Sequence, residues 1–192
     1  MYLIYKVQTG VRNATKNRVE PVKTAVIIGS GGHTTEMLRL IKNINPLHFS
    51  PRIYIMASSD TTSEVKIHAS EGSKSYEIVK IPRSRRVGQS YVSSVFTTLY
   101  AFLASFPIMI KSRPDLILCN GPGTCIPICA IAFLMRLLFL ADTRIVFIES
   151  ICRVKSLSLT GKILLLFADE IIVQWPKLQA TYPRTKFMGR LA

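Results

Sequence analysis

Acidic residues are scarce in this chain. There are 11 Asp and Glu against 25 Lys and Arg, giving a formal net charge of +14 and a pI near 10.0. No convincing pair of carboxylates stands out for acid/base work, and no Ser/His/Asp constellation is evident. The four cysteines, Cys119, Cys125, Cys129 and Cys152, form no Cys-x-x-Cys pairing, which removes the usual zinc and dithiol motifs. They read instead as reduced thiols of a chain facing the cytosol. No internal repeat or low-complexity segment is found. Residues 1–24 contain no apolar run of the roughly 20 residues that cross a bilayer. The Asn13-Ala14-Thr15 sequon has no signal peptide beside it to bring it to a lumen. Met1 to Lys23, with five basic residues and Glu20 alone to balance them, is expected to be a disordered basic arm.

What is present is ample core material. The hydrophobic fraction is 48% and the mean hydropathy +0.29, which excludes an intrinsically disordered chain. A length of 192 residues suits one domain, expected over residues 24–192, so an enzyme needing two α/β domains must find the second on another chain. A chain both basic and apolar suits an anionic membrane surface better than nucleic acid. From Thr24 onward, β-branched runs alternate with helical stretches. The expected strands are Ala25–Gly29, Arg52–Ala57, Tyr76–Ile81, Asp115–Asn120, Arg144–Glu149, Glu170–Gln174 and Lys186–Gly189. The expected helices are Thr35–Asn43, Thr62–Ser70, Ser90–Lys111, Thr124–Leu140, Ser158–Phe167 and Pro176–Thr181. Continuous apolar strands in strict alternation with helices predict a doubly wound, mostly parallel, Rossmann-like α/β sheet. Tyr91–Ile110 carries no charge and Ile126–Ala141 only Arg136; both are expected to be buried helices, with an interfacial helix as the alternative.

In such a sheet, ligands bind beyond the carboxyl ends of the strands. The first strand runs into Gly29-Ser30-Gly31-Gly32-His33-Thr34-Thr35-Glu36, a turn whose backbone N–H groups and following helix suit a phosphate. It lacks the Gly-Lys-Ser/Thr of a P-loop, and Thr34 stands where a dinucleotide fingerprint has its third glycine, which weighs against an oxidoreductase. The alternative is a turn shaped only for packing. His33 could move a proton near neutral pH, or could merely cap or pack. The fourth strand runs into Asn120-Gly121-Pro122-Gly123-Thr124, with Thr124 placed to cap a helix. The fifth ends in Glu149-Ser150-Ile151-Cys152-Arg153, where Glu149 and Arg153 form either an ion pair that fixes the loop or a ligand contact. After the third come Arg83, Arg85 and Arg86 within four residues, an anion site, a membrane-facing patch or a solvated charge run. Two anion-seeking loops on one edge, flanked by basic and apolar sequence, point to a lipid-linked diphosphate.

Six ordered motifs then carry a resemblance that covers about Val26 to the end: 29–36, Ile-Pro-Arg-Ser-Arg (81–85), Asn-Gly-Pro-Gly-Thr-Cys (120–125), Glu-Ser-Ile-Cys-Arg-Val (149–154), Gln-Trp-Pro (174–176) and Gly-Arg (189–190). Together they resemble the membrane-anchoring, acceptor-side subunit of the eukaryotic transferase that adds the second N-acetylglucosamine to dolichyl-diphosphate-N-acetylglucosamine. The resemblance implies one half of a split GT-B glycosyltransferase, similar to the bacterial enzyme acting on the lipid-linked muramyl precursor. It implies a cytosolic partner subunit that holds UDP-N-acetylglucosamine, assembly at the cytosolic face of the endoplasmic reticulum membrane, and β-1,4 transfer with inversion. No cofactor bound by this chain and no metal are implied. Carried over, Ser30, Gly31, Gly32, Gly121, Gly123 and Thr124 would hold the acceptor diphosphate, with His33 and Glu149 in catalysis. Arg83, Arg85 and Arg86 would face anions or membrane, and Gly189, Arg190 and Leu191 the partner. The alternative is a non-catalytic membrane recruiter with all chemistry in the partner. The family ordinarily begins with a hydrophobic anchoring helix, which Met1–Lys23 does not resemble, so the helix from Ser90 would supply peripheral binding.

Overall fold

Short β-branched runs build the strands: β1 (Thr24–Ile28), β2 (Arg52–Ala57), β3 (Tyr76–Ile81), β4 (Leu116–Asn120), β5 (Arg144–Ile148), β6 (Glu170–Val173) and β7 (Lys186–Phe187). The helices between them are α1 (Gly32–Lys42), α2 (Thr61–Glu71), α3 (Tyr91–Ser112), α4 (Cys125–Leu137), α5 (Leu159–Leu164) and α6 (Pro176–Thr181). A computed structural model describes residues 20–72, 75–85, 88–121 and 123–191; most of the expected arm (1–19) and Arg86 lie outside them. The seven strands form one sheet in the order β3-β2-β1-β4-β5-β6-β7, with every pairing parallel. The order reverses between β1 and β4, so the loops after these two strands diverge and leave a crevice at their carboxyl ends.

Both faces of the sheet centre are apolar, as the continuous runs require. On one face Ala25, Ile27, Ile53, Ile55, Ile117 and Ile145 pack beneath α3, α4 and α5. On the other Val26, Ile28, Tyr54, Met56 and Leu118 pack against Met37, Leu38 and Ile41 of α1 and Ile67 of α2. Two buried ion pairs tie the layers together. Arg52 Nη1 lies 2.7 Å from Glu71 Oε1, which also accepts from the Tyr54 hydroxyl, and Arg136 Nη2 lies 2.7 Å from Asp169 Oδ2. Removing one partner of such a pair leaves a buried charge, at about 3–5 kcal/mol.

Local chemistry sets the boundaries. Asp60, Ser90 and Ser158 cap α2, α3 and α5 by accepting from Ser63 N, Ser93 N and Gly161 N. Pro127 sits in the first turn of α4, where its missing N–H breaks no helical bond. That helix stops at Leu137, before the expected Leu140, because Phe139 turns to φ +56°. The Ser158–Phe167 expectation contracts to the six residues of α5. Val22 and Lys23, grouped with the arm in the sequence, are tied down: Val22 N donates to His48 O, and Lys23 N to Asp115 Oδ2.

The clearest correction concerns α3. The expectation of burial holds for α4, but only one side of α3 is buried. Ala101, Ser105 and Met109 face inward, with Phe102 and Phe106 packed beside them. The opposite side presents Val92 (75% exposed), Phe96 (70%), Tyr100 (64%) and Leu103 (62%). By length and composition Val92–Ser112 could cross a membrane, with a mean hydropathy of 1.6. Its inner side, however, is packed onto the domain.

Candidate functional site

The crevice is lined by the loops that follow β1, β2, β3, β4 and β5, and encloses about 310 Å³. Its floor is the turn after β1. Gly31, at φ +65°, is the N-cap of α1 and offers no side-chain acceptor, and the first turn of α1 carries no acidic residue. The positive end of the helix dipole is thus left to an anion in the crevice. Open space surrounds the position a Cβ would take on Gly31 or Gly32, so the turn is bare backbone facing solvent. Thr34, buried at the base, donates its hydroxyl to Gly29 O and fixes the turn.

Basic side chains meet this turn from the loop after β3. Arg83 Nη2 donates to Ser30 Oγ at 2.9 Å, and Arg85, held by Gln89 O at 2.9 Å, also lines the crevice. With Arg153 on the far side, three arginines line the crevice and make its wall anion-selective. Asp60 and Glu149 are the acids among the lining residues.

His33 projects from the first turn of α1, with Nδ1 2.8 Å from Asn120 Oδ1. The residue after Asn120 is Gly121, and His33 leaves it no room for a side chain. Its φ is +88°, and a Cβ there would lie 2.3 Å from His33 Nδ1, so the imidazole lies on bare backbone. Asn120 Nδ2 in turn donates to Glu36 Oε2 at 2.9 Å, and Ser150 Oγ donates to Glu36 Oε1 at 2.8 Å. Glu36 and Asn120 join His33 to the loops after β4 and β5. Both lie inside the glycine-turn motifs at 29–36 and 120–125, where nothing in the local sequence marks either for a role. The available signal was their position: Asn120 ends a strand, and Glu36 falls one turn beyond the glycines, on the helix that starts the site.

Glu149 and Thr124 differ in detail from expectation. Among the described residues no ion pair joins Glu149 to Arg153. The Glu149 side chain is fully buried and accepts from Ser158 N at 2.8 Å, Ser158 Oγ at 2.9 Å and Ser150 N at 3.1 Å. Burial raises its pKa above the ordinary carboxylate range, against those donors and Arg153, which lower it. A Cβ on Gly161 would lie 2.6 Å from Glu149 Oε2, so α5 is built around this carboxylate. Glu149 therefore anchors the start of α5 at the crevice wall. Thr124 occupies the N-cap position of α4, but in helical backbone conformation and with no side-chain cap bond. Gly123 and Thr124 line the crevice, as the sequence places them.

The terminal residues run along the same edge. Leu191 N donates to Gln174 Oε1 at 2.9 Å, while Gln174 Nε2 donates to Glu149 O at 3.1 Å. The Arg190 guanidinium lies 4.7 Å from the centre of the Trp175 ring, and Trp175 Nε1 donates to Ile151 O at 2.7 Å. The Gln-Trp-Pro motif thus seats the tail beside the β5 loop, one wall of the crevice. A wider groove of about 930 Å³ opens elsewhere, with Val22, Pro114, Leu140 and Phe187 in its lining. It takes in none of the glycine turns and neither His33 nor Arg83, so the smaller crevice is the chemically equipped one.

Comparison with known proteins places the chain in a family. The family model described as "Oligosaccharide biosynthesis protein Alg14 like" matches residues 24–191. The chain is 47% identical over 183 residues to the mouse protein named UDP-N-acetylglucosamine transferase subunit ALG14, covering 90% of this chain and 84% of that one. It is 43% identical to the human protein of that name, covering 100% of this chain and 93% of the relative. The fission yeast (Schizosaccharomyces pombe) protein is 41% identical, at 94% and 90% coverage. Among solved structures, MurG of Acinetobacter baumannii superposes with a TM-score of 0.61 at 16% identity, over 87% of this chain and 45% of the MurG chain. That likeness concerns the fold, and identifies the sheet as one Rossmann-like half of a GT-B architecture. With the family match running from the first strand to the tail, the chain belongs to the Alg14 family.

Proposed function

We propose that this chain is the acceptor-side subunit of a two-chain UDP-N-acetylglucosamine transferase that adds the second N-acetylglucosamine to N-acetylglucosaminyl-diphosphodolichol. The observation that carries this is the crevice at the carboxyl edge of β1 and β4, where a bare glycine turn, three arginines (Arg83, Arg85 and Arg153) and His33 converge. The diphosphate of the acceptor sits on the Ser30–Gly32 turn at the positive end of α1, facing Arg83 and Arg85. Gly121, Gly123 and Thr124 form the opposite wall. The acceptor hydroxyl attacks C1 of the donor sugar from the face opposite UDP. The new C1–O bond forms as the bond to the diphosphate breaks, UDP leaves with the electron pair, and His33 takes the hydroxyl proton. General-base assistance of this kind contributes about 10²–10⁴-fold. The β-1,4 linkage follows from inversion at C1 and attack by the 4-hydroxyl.

The donor is held mainly by a cytosolic partner subunit, because one Rossmann-like domain supplies one half of a GT-B cleft. The tail at Gly189, Arg190 and Leu191, seated beside the β5 loop, is the contact offered to that partner. The exposed apolar side of α3 lies in the cytosolic interface of the endoplasmic reticulum membrane, with Arg83 and Arg85 at its amino end toward lipid phosphate. This brings the crevice mouth to the headgroup level, where a lipid-linked diphosphate is found.

The test is reconstitution. The purified chain alone is expected to transfer no sugar from UDP-N-acetylglucosamine to a dolichyl-diphosphate acceptor, and adding the partner subunit is expected to restore transfer. Full activity from the isolated chain would refute the divided site, and a silent assembled complex would refute the assignment.

A further inference from the structure

We infer that Glu36, acting through Asn120, is a positioning residue that holds neutral His33 with its proton on Nδ1, leaving Nε2 as the basic nitrogen. One group in the network, the Glu36 carboxylate, has a fixed role. An ionised carboxylate only accepts hydrogen bonds. The Asn120 atom facing Glu36 Oε2 at 2.9 Å must therefore be the amide NH₂, so the carboxamide cannot flip. Its other end is then an oxygen, and it faces His33 Nδ1 at 2.8 Å. An oxygen acceptor requires a hydrogen on that nitrogen, so the lone pair of the neutral ring resides on Nε2. The Ser150 hydroxyl is oriented from the same source: it donates to Glu36 Oε1 at 2.8 Å and accepts from Cys152 N at 3.3 Å. Donor direction runs inward to Glu36 from both loops.

Three loci meet here that are far apart in sequence, with Glu36 84 residues from Asn120 and 114 from Ser150. Gly121 completes the device, since the ring lies on its backbone where no side chain fits. The intermediate is a neutral amide, whereas a Ser-His-Asp triad uses a carboxylate directly. Asn120 thus sets the tautomer without placing a full charge against the imidazole, and the charge sits one step away on Glu36. This inference rests on the reading of His33 as the base only for its effect on rate; the tautomer itself does not depend on that reading.

The test uses the full chain assembled with its partner subunit and labelled with ¹⁵N-histidine. The sequence has three histidines, so His33 is assigned from the His48→Asn and His68→Asn variants. Long-range ¹H–¹⁵N spectra above the titration of the ring are expected to show a protonated Nδ1 and a bare Nε2. Glu36→Ala is expected to move the ring toward the Nε2–H form that a solvated neutral histidine side chain prefers, and to lower kcat about 10–100-fold with KM for both substrates held within about threefold. Glu36→Gln, whose side-chain carbonyl can still accept from Asn120, is expected to retain the tautomer and most of the rate. It also serves should the alanine variant fold poorly. An Nε2–H ring in the unaltered complex, or a tautomer indifferent to Glu36→Ala, would overturn the inference; a changed tautomer with unchanged kcat would overturn its effect on rate alone. His33→Ala, run in parallel, separates the two failures: if it keeps full turnover, the base assignment falls while the tautomer result stands by itself.

Discussion

Gly121→Ala should act on His33, and a double-mutant cycle can show it. The added Cβ would lie 2.3 Å from Nδ1, 2.5 Å from Cγ and 2.6 Å from Cε1 of the imidazole, well inside van der Waals contact. At φ +88° an L-residue is also strained, by about 1–3 kcal/mol. Displacing a packed ring adds a further 1–3 kcal/mol, roughly the overpacking range. His33→Ala alone loses one hydrogen bond to Asn120, about 0.5–1.5 kcal/mol. In the double variant the steric term vanishes because the ring is gone, while the backbone strain stays. The two substitutions are therefore expected to be non-additive by about 1–3 kcal/mol, with the double variant more stable than the sum implies. Urea unfolding of the full chain in mild detergent, read at constant m-value, measures this. Turnover of the assembled enzyme should fall in Gly121→Ala to the level of His33→Ala. Additivity within about 0.5 kcal/mol would show that the ring and Gly121 are not in contact, and would refute the packing argument.

Other outcomes follow from the same geometry. The pKa of Glu149 is raised by burial, so the native chain holds that proton to higher pH than the unfolded chain, whose value is about 4.3. Its stabilising contribution is full below the unfolded value and is lost as pH rises through the raised one. The stability of the natural chain relative to Glu149→Gln should accordingly decline over that window in urea titrations, and a pH-independent difference would be contrary. On α3, replacing Phe96 or Leu103 with Ser should each weaken binding to anionic vesicles about tenfold, taking roughly half of the 1.5–3 kcal/mol of a fully buried side chain; unchanged flotation would show that this face meets something other than lipid. Arg85→Glu should weaken vesicle binding at low salt more than at high salt, and a salt-independent loss would exclude an electrostatic role.

Much of the frame was legible before the structure. Val26-Ile27-Ile28 and Leu116-Ile117-Leu118 can only be satisfied between two covered faces, so a central parallel sheet was readable from those runs. The glycine turns were equally legible, because Gly29-Ser30-Gly31-Gly32 and Asn120-Gly121-Pro122-Gly123 fall between strand and helix patterns; Gly31 and Gly121 do hold positive φ. The side of α3 was not readable. Its uncharged run fits a buried helix and a surface helix alike, and the discriminator is tertiary: Ser105 bonds its own helix at Ala101 O and lies buried, while Phe96, nine positions earlier, faces out. The Glu36 network was hidden for a different reason. Its partners come from three separate strand ends, and only the sheet order puts β1, β4 and β5 side by side. The place of Glu149 at a strand end was legible, but its surroundings were not, since Ser158 reaches it by a loop fold that no local pattern encodes.

The most direct measurement is single-turnover transfer by the assembled two-chain enzyme carrying His33→Ala, alongside a pull-down of the partner subunit. If His33 is the base within a divided active site, transfer should fall about 10²–10⁴-fold while partner capture stays intact. Undiminished transfer with intact capture would contradict a catalytic crevice in this chain and leave it a membrane recruiter.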